Sequence, residues 1–159
     1  MKVGSLFTGY GGLDMAVGGE LSWYSEIEPA ACQVLATQHP DVANLGDITQ
    51  INWADVAPVD VLTGGYPCQP FSVAGNRKGS NDVRHLWPYV RDAIAILRPE
   101  RAILENVSGH LSLGFSEVLM DLAEIGFDAE WGTLRASDVG APHQRNRLFI
   151  VAYPQSGRR

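Results

Sequence analysis

The sequence predicts an α/β fold, a mostly parallel central sheet with helices on both faces. Three observations predict it. Short apolar runs of strand length alternate with segments of helical character along the chain. Strands joined through helices run parallel. Residues able to carry chemistry (Gly9 with Gly12, Glu26, Cys68 and Glu105) fall at or just past the ends of four of those runs, and strand ends are where open α/β sheets place their sites. Finally, 159 residues with 45% hydrophobic and 19% charged content suit one domain with its own core.

Residues 2–7 make the first strand, which ends in Phe7-Thr8-Gly9-Tyr10-Gly11-Gly12 before a helical stretch over 13–17. Strand, glycine turn and helix bring backbone close to a ligand at a helix N-terminus. The spacing is not G-x-G-x-x-G, so the dinucleotide fingerprint is absent as a literal match. Residues 21–27 make the second strand, running into Glu26-Ile27-Glu28-Pro29. An acid there suits the two hydroxyls of a ribose. Pro29 opens a helix over 30–38 that Pro40 stops. Cys32 within it reads as a small buried hydrophobe.

Residues 42–45 form a weak strand before Gly46-Asp47-Ile48-Thr49. Asp47 is either a second site acid or a turn cap. One helical turn over 52–57 closes at Pro58. Val59-Asp60-Val61-Leu62 is then a buried strand leading to Gly64-Gly65-Tyr66-Pro67-Cys68-Gln69-Pro70-Phe71-Ser72. Two prolines restrict the backbone around Cys68, and the glycines allow a sharp turn close to a ligand. The thiol is either a preorganised nucleophile or part of a proline-rich turn. Residues 73–81 are polar, glycine-containing loop.

An amphipathic helix over 84–97 carries Leu86, Val90, Ile94 and Leu97 at helical spacing and ends at Pro99. A buried strand over 101–104 runs into Glu105-Asn106-Val107. A helix over 116–125 stops at Gly126, and a strand over 127–135 follows. After a glycine-proline turn come Gln144-Arg145-Asn146-Arg147 and a last strand over 148–153.

Composition narrows the function. The chain opens on no charged-then-apolar leader and holds no apolar run near membrane-spanning length, so a soluble, cytoplasmic protein is expected. Its 2 cysteines give no disulfide framework, and its 4 histidines show no metal-ligand spacing, so no metal is expected. A net charge of −6 is unlike a free-standing DNA-binding module. Nucleic-acid contact would rest on local clusters: Arg77-Lys78, Arg84, Arg145 with Arg147, and Arg158-Arg159.

Taken in order, Phe7-Thr-Gly-Tyr-Gly-Gly, Glu26, Gly46-Asp-Ile-Thr, Pro67-Cys-Gln-Pro-Phe-Ser, Glu105-Asn-Val and Gln144-Arg-Asn-Arg resemble the DNA cytosine-5 methyltransferase family over nearly the whole chain. The resemblance implies a Rossmann-like S-adenosylmethionine-dependent methyltransferase fold, S-adenosyl-L-methionine as methyl donor and cytosine in double-stranded DNA as acceptor. It implies that Phe7, Gly9, Tyr10 and Gly12 line the cofactor and that Glu26 binds its ribose. Ile27 would pack on the adenine, where the family often has an aromatic. Asp47 and Ile48 would hold the adenine's other side, and Pro67 would lie near the donor methyl.

Carbon 5 of cytosine is too poor a nucleophile to accept a methyl group directly. By resemblance, a Cys68 thiolate adds to carbon 6, which requires electropositive surroundings for the thiol. Glu105 offsets the charge built on the ring through N3 and the exocyclic amine. Arg147 would hold O2 and the nucleophile's loop, and Arg145 would orient Glu105. The cytosine must leave the duplex, so Gln69 would fill the vacated stack, Ser72 would hold the neighbouring phosphate, and the segment through Arg84 would close over the base.

In the family, a target-recognition domain follows the Gln-Arg-Asn-Arg strand, and a later helix packs beside the glycine loop. The chain ends before either. The expectation is one incomplete catalytic domain over 1–159, with an apolar patch exposed near the sheet edge and first helix. Three readings follow: a catalytic subunit relying on a second subunit for target recognition, a remnant that binds S-adenosylmethionine or a partner without catalysis, or a minimal enzyme of relaxed specificity.

Overall fold

A computed structural model describes residues 1–67 and 86–155. Cys68, Gln69, Ser72, Arg84 and the loop expected over 73–81 lie outside the described residues. The strands are β1 (Lys2–Leu6), β2 (Glu20–Ser25), β3 (Ala43–Asn44), β4 (Val61–Gly64), β5 (Arg101–Val107), β6 (Phe127–Arg135) and β7 (Asn146–Pro154). The helices are α1 (Gly12–Val17), α2 (Pro29–Gln38), α3 (Trp87–Leu97) and α4 (Phe115–Glu124). The strands form a 7-stranded sheet in the order β3-β2-β1-β4-β5-β7-β6. β1 to β5 pair parallel, while β7 is antiparallel to both β5 and β6.

Alternation along the strands sorts residues between two faces. On one face Leu6, Leu62, Leu104, Leu148 and Ile150 join Val90 and Ile94 of α3 and Val118 and Leu122 of α4 in the main core. These side chains are buried, and each contributes about 1.5–3 kcal/mol of transfer free energy. α3 and α4 are tied together where Trp87 Nε1 donates to Asp121 Oδ2 at 2.6 Å. The sheet can approach Trp23 closely because residue 4 is glycine. A Cβ there would stand 2.3 Å from the Trp23 ring. The opposite face carries Val3, Ser5, Val61 and Thr63, and it is where Asp14 of α1 bonds the sheet.

The helix starting at Pro29 forms as expected, with Pro29 in its first turn and the Glu28 carboxylate accepting from Ala31 N. Three expectations need correction. The strand expected over 42–45 shrinks to the exposed pair Ala43–Asn44. The last strand is longer than expected, Asn146–Pro154, because β5 and β6 pair with it from both sides. Cys32 is only half-buried: its thiol donates to Glu26 O at 3.4 Å, and Asn44 Nδ2 donates to the sulfur at 3.5 Å. It is a polar junction between β2, α2 and β3.

Candidate active site

Ser5 of β1 pairs with Thr63 of β4, and Thr63 with Ile103 of β5. Glu105 lies two residues beyond Ile103, so all of these share one face. Across β5 and β7, Glu105 stands opposite Phe149, which makes Arg147 its diagonal neighbour on that face. Arg147 Nε donates to Glu105 Oε1 at 2.7 Å, with 24% and 27% of the two side chains exposed. Arg147 Nη1 also donates to Asn146 O at 3.1 Å. Asn106, the next residue, faces the other way: its Nδ2 donates to Tyr66 O at 3.1 Å and its Oδ1 accepts from Val107 N at 2.8 Å. One dipeptide thus serves both faces of the sheet.

Over the Glu105 face lies a cavity of about 580 Å³. Its walls come from the glycine turn after β1, the first turn of α1, the exit of β4, and the stretch from the end of β6 into a 3₁₀ turn, Ala136–Val139. The glycine turn takes left-handed backbone at Phe7, Gly9 and Gly11, with φ of 51°, 56° and 76°. That conformation is costly for residues other than glycine, including Phe7. Glu26 holds the turn in place. Its Oε2 accepts from Gly9 N at 2.7 Å, and its Oε1 accepts from Ile27 N and Glu28 N at 2.8 Å each.

Phe7, Gly9, Gly12, Glu105, Arg145 and Arg147 all line the cavity. The chain leaving β4 passes close by, since a Cβ on Gly65 would lie 3.4 Å from Glu105 Oε2. Other expected residues stand elsewhere. Tyr10 is exposed and borders a smaller groove of about 140 Å³ with Met15 and His39. Ile27 is 68% exposed, and Pro67 is exposed outside the cavity lining. Asp47 is a turn cap, its Oδ1 accepting from Thr49 N at 2.9 Å. Ile48 is buried in the main core, so its side chain does not line the cavity. Glu105 takes its ion pair from Arg147, where Arg145 had been expected to orient it. Met15 and Tyr10 leave an apolar face open beside α1, which buries none of its own residues.

The sequence reading missed Asp14. Its carboxylate accepts from Ser5 Oγ at 2.8 Å and also from Thr63 Oγ1, joining α1 to two strands within the cavity wall. The available signal was a hydroxyl residue one place before the end of each of two mainly apolar strands. Leu134, Arg135 and Val139, which also line the cavity, carried no comparable signal. Among the described residues no helix is long and apolar enough to cross a membrane, and no group of three or more His, Cys, Asp or Glu is placed to hold a metal.

A family model for C-5 cytosine-specific DNA methylases matches residues 1–158. The chain belongs to this family. Among curated members, the type II methyltransferase M.NlaIV of Neisseria lactamica is 36% identical over 139 residues, covering 80% of this chain and 33% of that protein. M.NlaX of the same organism is 33% identical over 162 residues, covering 96% of this chain and 52% of the relative. Among solved structures, the Dnmt2 methyltransferase of S. pombe superposes with a TM-score of 0.83 at 24% identity, covering all of this chain and 52% of the other. The fold is that of the Rossmann-like methyltransferases. The chain spans about a third to a half of the length of the methylase relatives cited, 33% and 52% of the two curated proteins.

Proposed function

We propose that this chain carries the catalytic and cofactor-binding part of a DNA cytosine-5 methyltransferase, acting in the cytoplasm on double-stranded DNA. The observation that carries this reading is the Arg147–Glu105 ion pair at the cavity wall, beside the chain that leads from β4 into Pro67-Cys68. The cavity suits S-adenosyl-L-methionine in size, since small-molecule sites commonly enclose about 300–1,000 Å³. It suits the cofactor in shape too: a Cβ on Gly9 or Gly12 would meet no atom within 4 Å, so the turn offers bare backbone to open space. Phe7, Gly9 and Gly12 would hold the cofactor, with Glu26 setting their geometry. The bound cofactor supplies an electrophilic methyl group.

The remaining steps belong to the chain and the base. The Cys68 thiolate forms a bond to carbon 6, and the electrons of the 5,6 double bond move to carbon 5. Glu105, held by Arg147, shares a proton with N3 and accepts from the exocyclic amine, which offsets the charge on the ring. Carbon 5 would take the methyl group as the donor's sulfur–methyl bond breaks and its electron pair stays on sulfur, and would then lose its proton to a base such as water. The carbon 6–sulfur bond breaks, restoring the double bond and the thiolate. Gln69, Ser72 and Arg84 are proposed to support the flipped base and its flanking phosphates. Target recognition is assigned to a second polypeptide or further chain.

The test is incubation with tritiated S-adenosylmethionine and mixed-sequence duplex DNA, alongside Cys68→Ser. Label on cytosine carbon 5, absent in the variant, is the expected result. Cofactor binding without transfer, even when a target-recognition subunit is supplied, would overturn the catalytic reading in favour of a binding remnant.

A further inference from the structure

We propose that His110 is a positioning residue that fixes the backbone at Tyr66 and Pro67, on the sheet face opposite the cavity. The inference rests on the reading of the segment after Pro67 as the reacting one. His110 lies in a 3₁₀ turn, Ser108–Ser112, directly after β5, and only 6% of it is exposed. Its Nδ1 is 2.9 Å from Leu113 O, and a carbonyl oxygen can only accept. The proton is therefore on Nδ1, and the neutral ring presents a lone pair at Nε2. That atom is 2.9 Å from the Tyr66 hydroxyl, so Tyr66 donates. Tyr66 is itself 4% exposed, and a buried hydroxyl of this kind needs a partner.

Rings hold the pair in register. His110 meets Tyr66 edge-on with centroids 5.7 Å apart and Phe115 at 5.8 Å, while Trp87 packs on Tyr66 at 5.4 Å. Asn106 holds the main chain of the same residue, donating to Tyr66 O at 3.1 Å. Tyr66 is thus gripped by side chain and by backbone, one residue before Pro67 and two before Cys68. Glu105 and Asn106 begin the connection on one side, and His110 completes it five residues later. The Glu105 carboxyl and the backbone at Tyr66, which leads into Pro67, are thereby referenced to one stretch of chain.

Two substitutions separate this role from simple support of the 3₁₀ turn. H110Q places an amide where Nε2 stands and so keeps a partner for Tyr66. H110N reaches only the Nδ1 position and keeps Leu113. The expected result is that H110N and Y66F each lower kcat on the order of ten- to a hundredfold. KM for S-adenosylmethionine stays unchanged, the double variant is no slower than either single one, and H110Q stays near wild type. Full speed in Y66F beside a slow H110N, or effects that multiply, would overturn the proposal. Hydrogen exchange over residues 61–67 gives a second readout that does not need turnover. Faster exchange in Y66F and H110N, but not in H110Q, is expected, and unchanged exchange in Y66F overturns the positioning role. Wild-type protein that gives no transfer even with a target-recognition subunit supplied would remove the methyltransferase reading alone, leaving exchange to decide the other.

Discussion

Arg147 Nε sits 2.7 Å from Glu105 Oε1, although the ladder places Glu105 opposite Phe149. The contact is diagonal, made possible because side chains two residues apart share a face. A pair this accessible adds at most about 1 kcal/mol to stability. Its worth is directional: one oxygen of Glu105 is taken up, and the carboxyl plane is set relative to the cavity. Arg147→Met should therefore slow methyl transfer by about ten- to a hundredfold while leaving the unfolding midpoint almost unmoved. Arg145→Met should be the milder variant, since Arg145 lines the cavity without an ion pair to Glu105 among the described contacts. Steady-state kinetics on the two variants decide the order, and the reverse ranking would reassign the orienting role.

Glu105→Gln tests the carboxyl itself. The amide retains size and hydrogen-bonding capacity but cannot share a proton with the ring. Transfer should fall by about 10²–10⁴-fold, with cofactor affinity measured by calorimetry little changed.

Glu26 is the link between the glycine turn and the exit of β2. Removing its carboxylate leaves Gly9 N, Ile27 N and Glu28 N without their acceptor. Glu26→Ala should cost about 1–3 kcal/mol in urea unfolding and weaken S-adenosylmethionine binding at least about tenfold, since the turn that would hold the cofactor loses the acceptor that sets its left-handed geometry. Unchanged stability with weakened binding would mean the carboxylate acts on ligand alone.

Gly4→Ala tests packing far from the chemistry. The added Cβ would stand 2.3 Å from the Trp23 ring, so the indole or the strand must move. Overpacking of this kind costs about 1–3 kcal/mol. A lowered thermal midpoint and an altered near-ultraviolet signal from tryptophan are expected.

Burial holds the His110 imidazole below its ordinary pKa of about 6.5, against a smaller opposing effect of the Leu113 carbonyl. The unfolded chain therefore binds the proton first as pH falls. The neutral form's contribution to stability is complete above about pH 6.5 and is lost progressively as pH drops from there through the depressed folded-state value. Unfolding measured between pH 7 and 5 should show this loss in the wild type, and the slope should flatten in H110Q.

The four strand ends were legible in sequence because apolar strands, glycine turns and prolines are local signals. The Pro67-Cys68 and Glu105-Asn106 dipeptides could likewise be singled out by residue type and order. Asp14 was missed because its partners, Ser5 and Thr63, lie on two strands distant in sequence and meet only in the sheet. Cys32 was misread for the same reason: its polar contacts come from Glu26 and Asn44, and Asn44 is brought near only by the pairing of β3 with β2.

The sequence by itself determined the element order and the α/β class, which follow from periodicity and turn chemistry, while the residues on which methyl transfer would depend are what its resemblance to the cytosine-5 methyltransferases implies. Only the tertiary structure decided which side chains meet. Arg147 rather than Arg145 reaches Glu105 because β7 inserts antiparallel between β5 and β6. Asp47 and Ile48 serve as cap and core because the turn leaves Asp47 exposed at its start and points Ile48 into the core. Pair distances depend on strand order and register, and those are set by burying one continuous core, which no local stretch of the chain encodes.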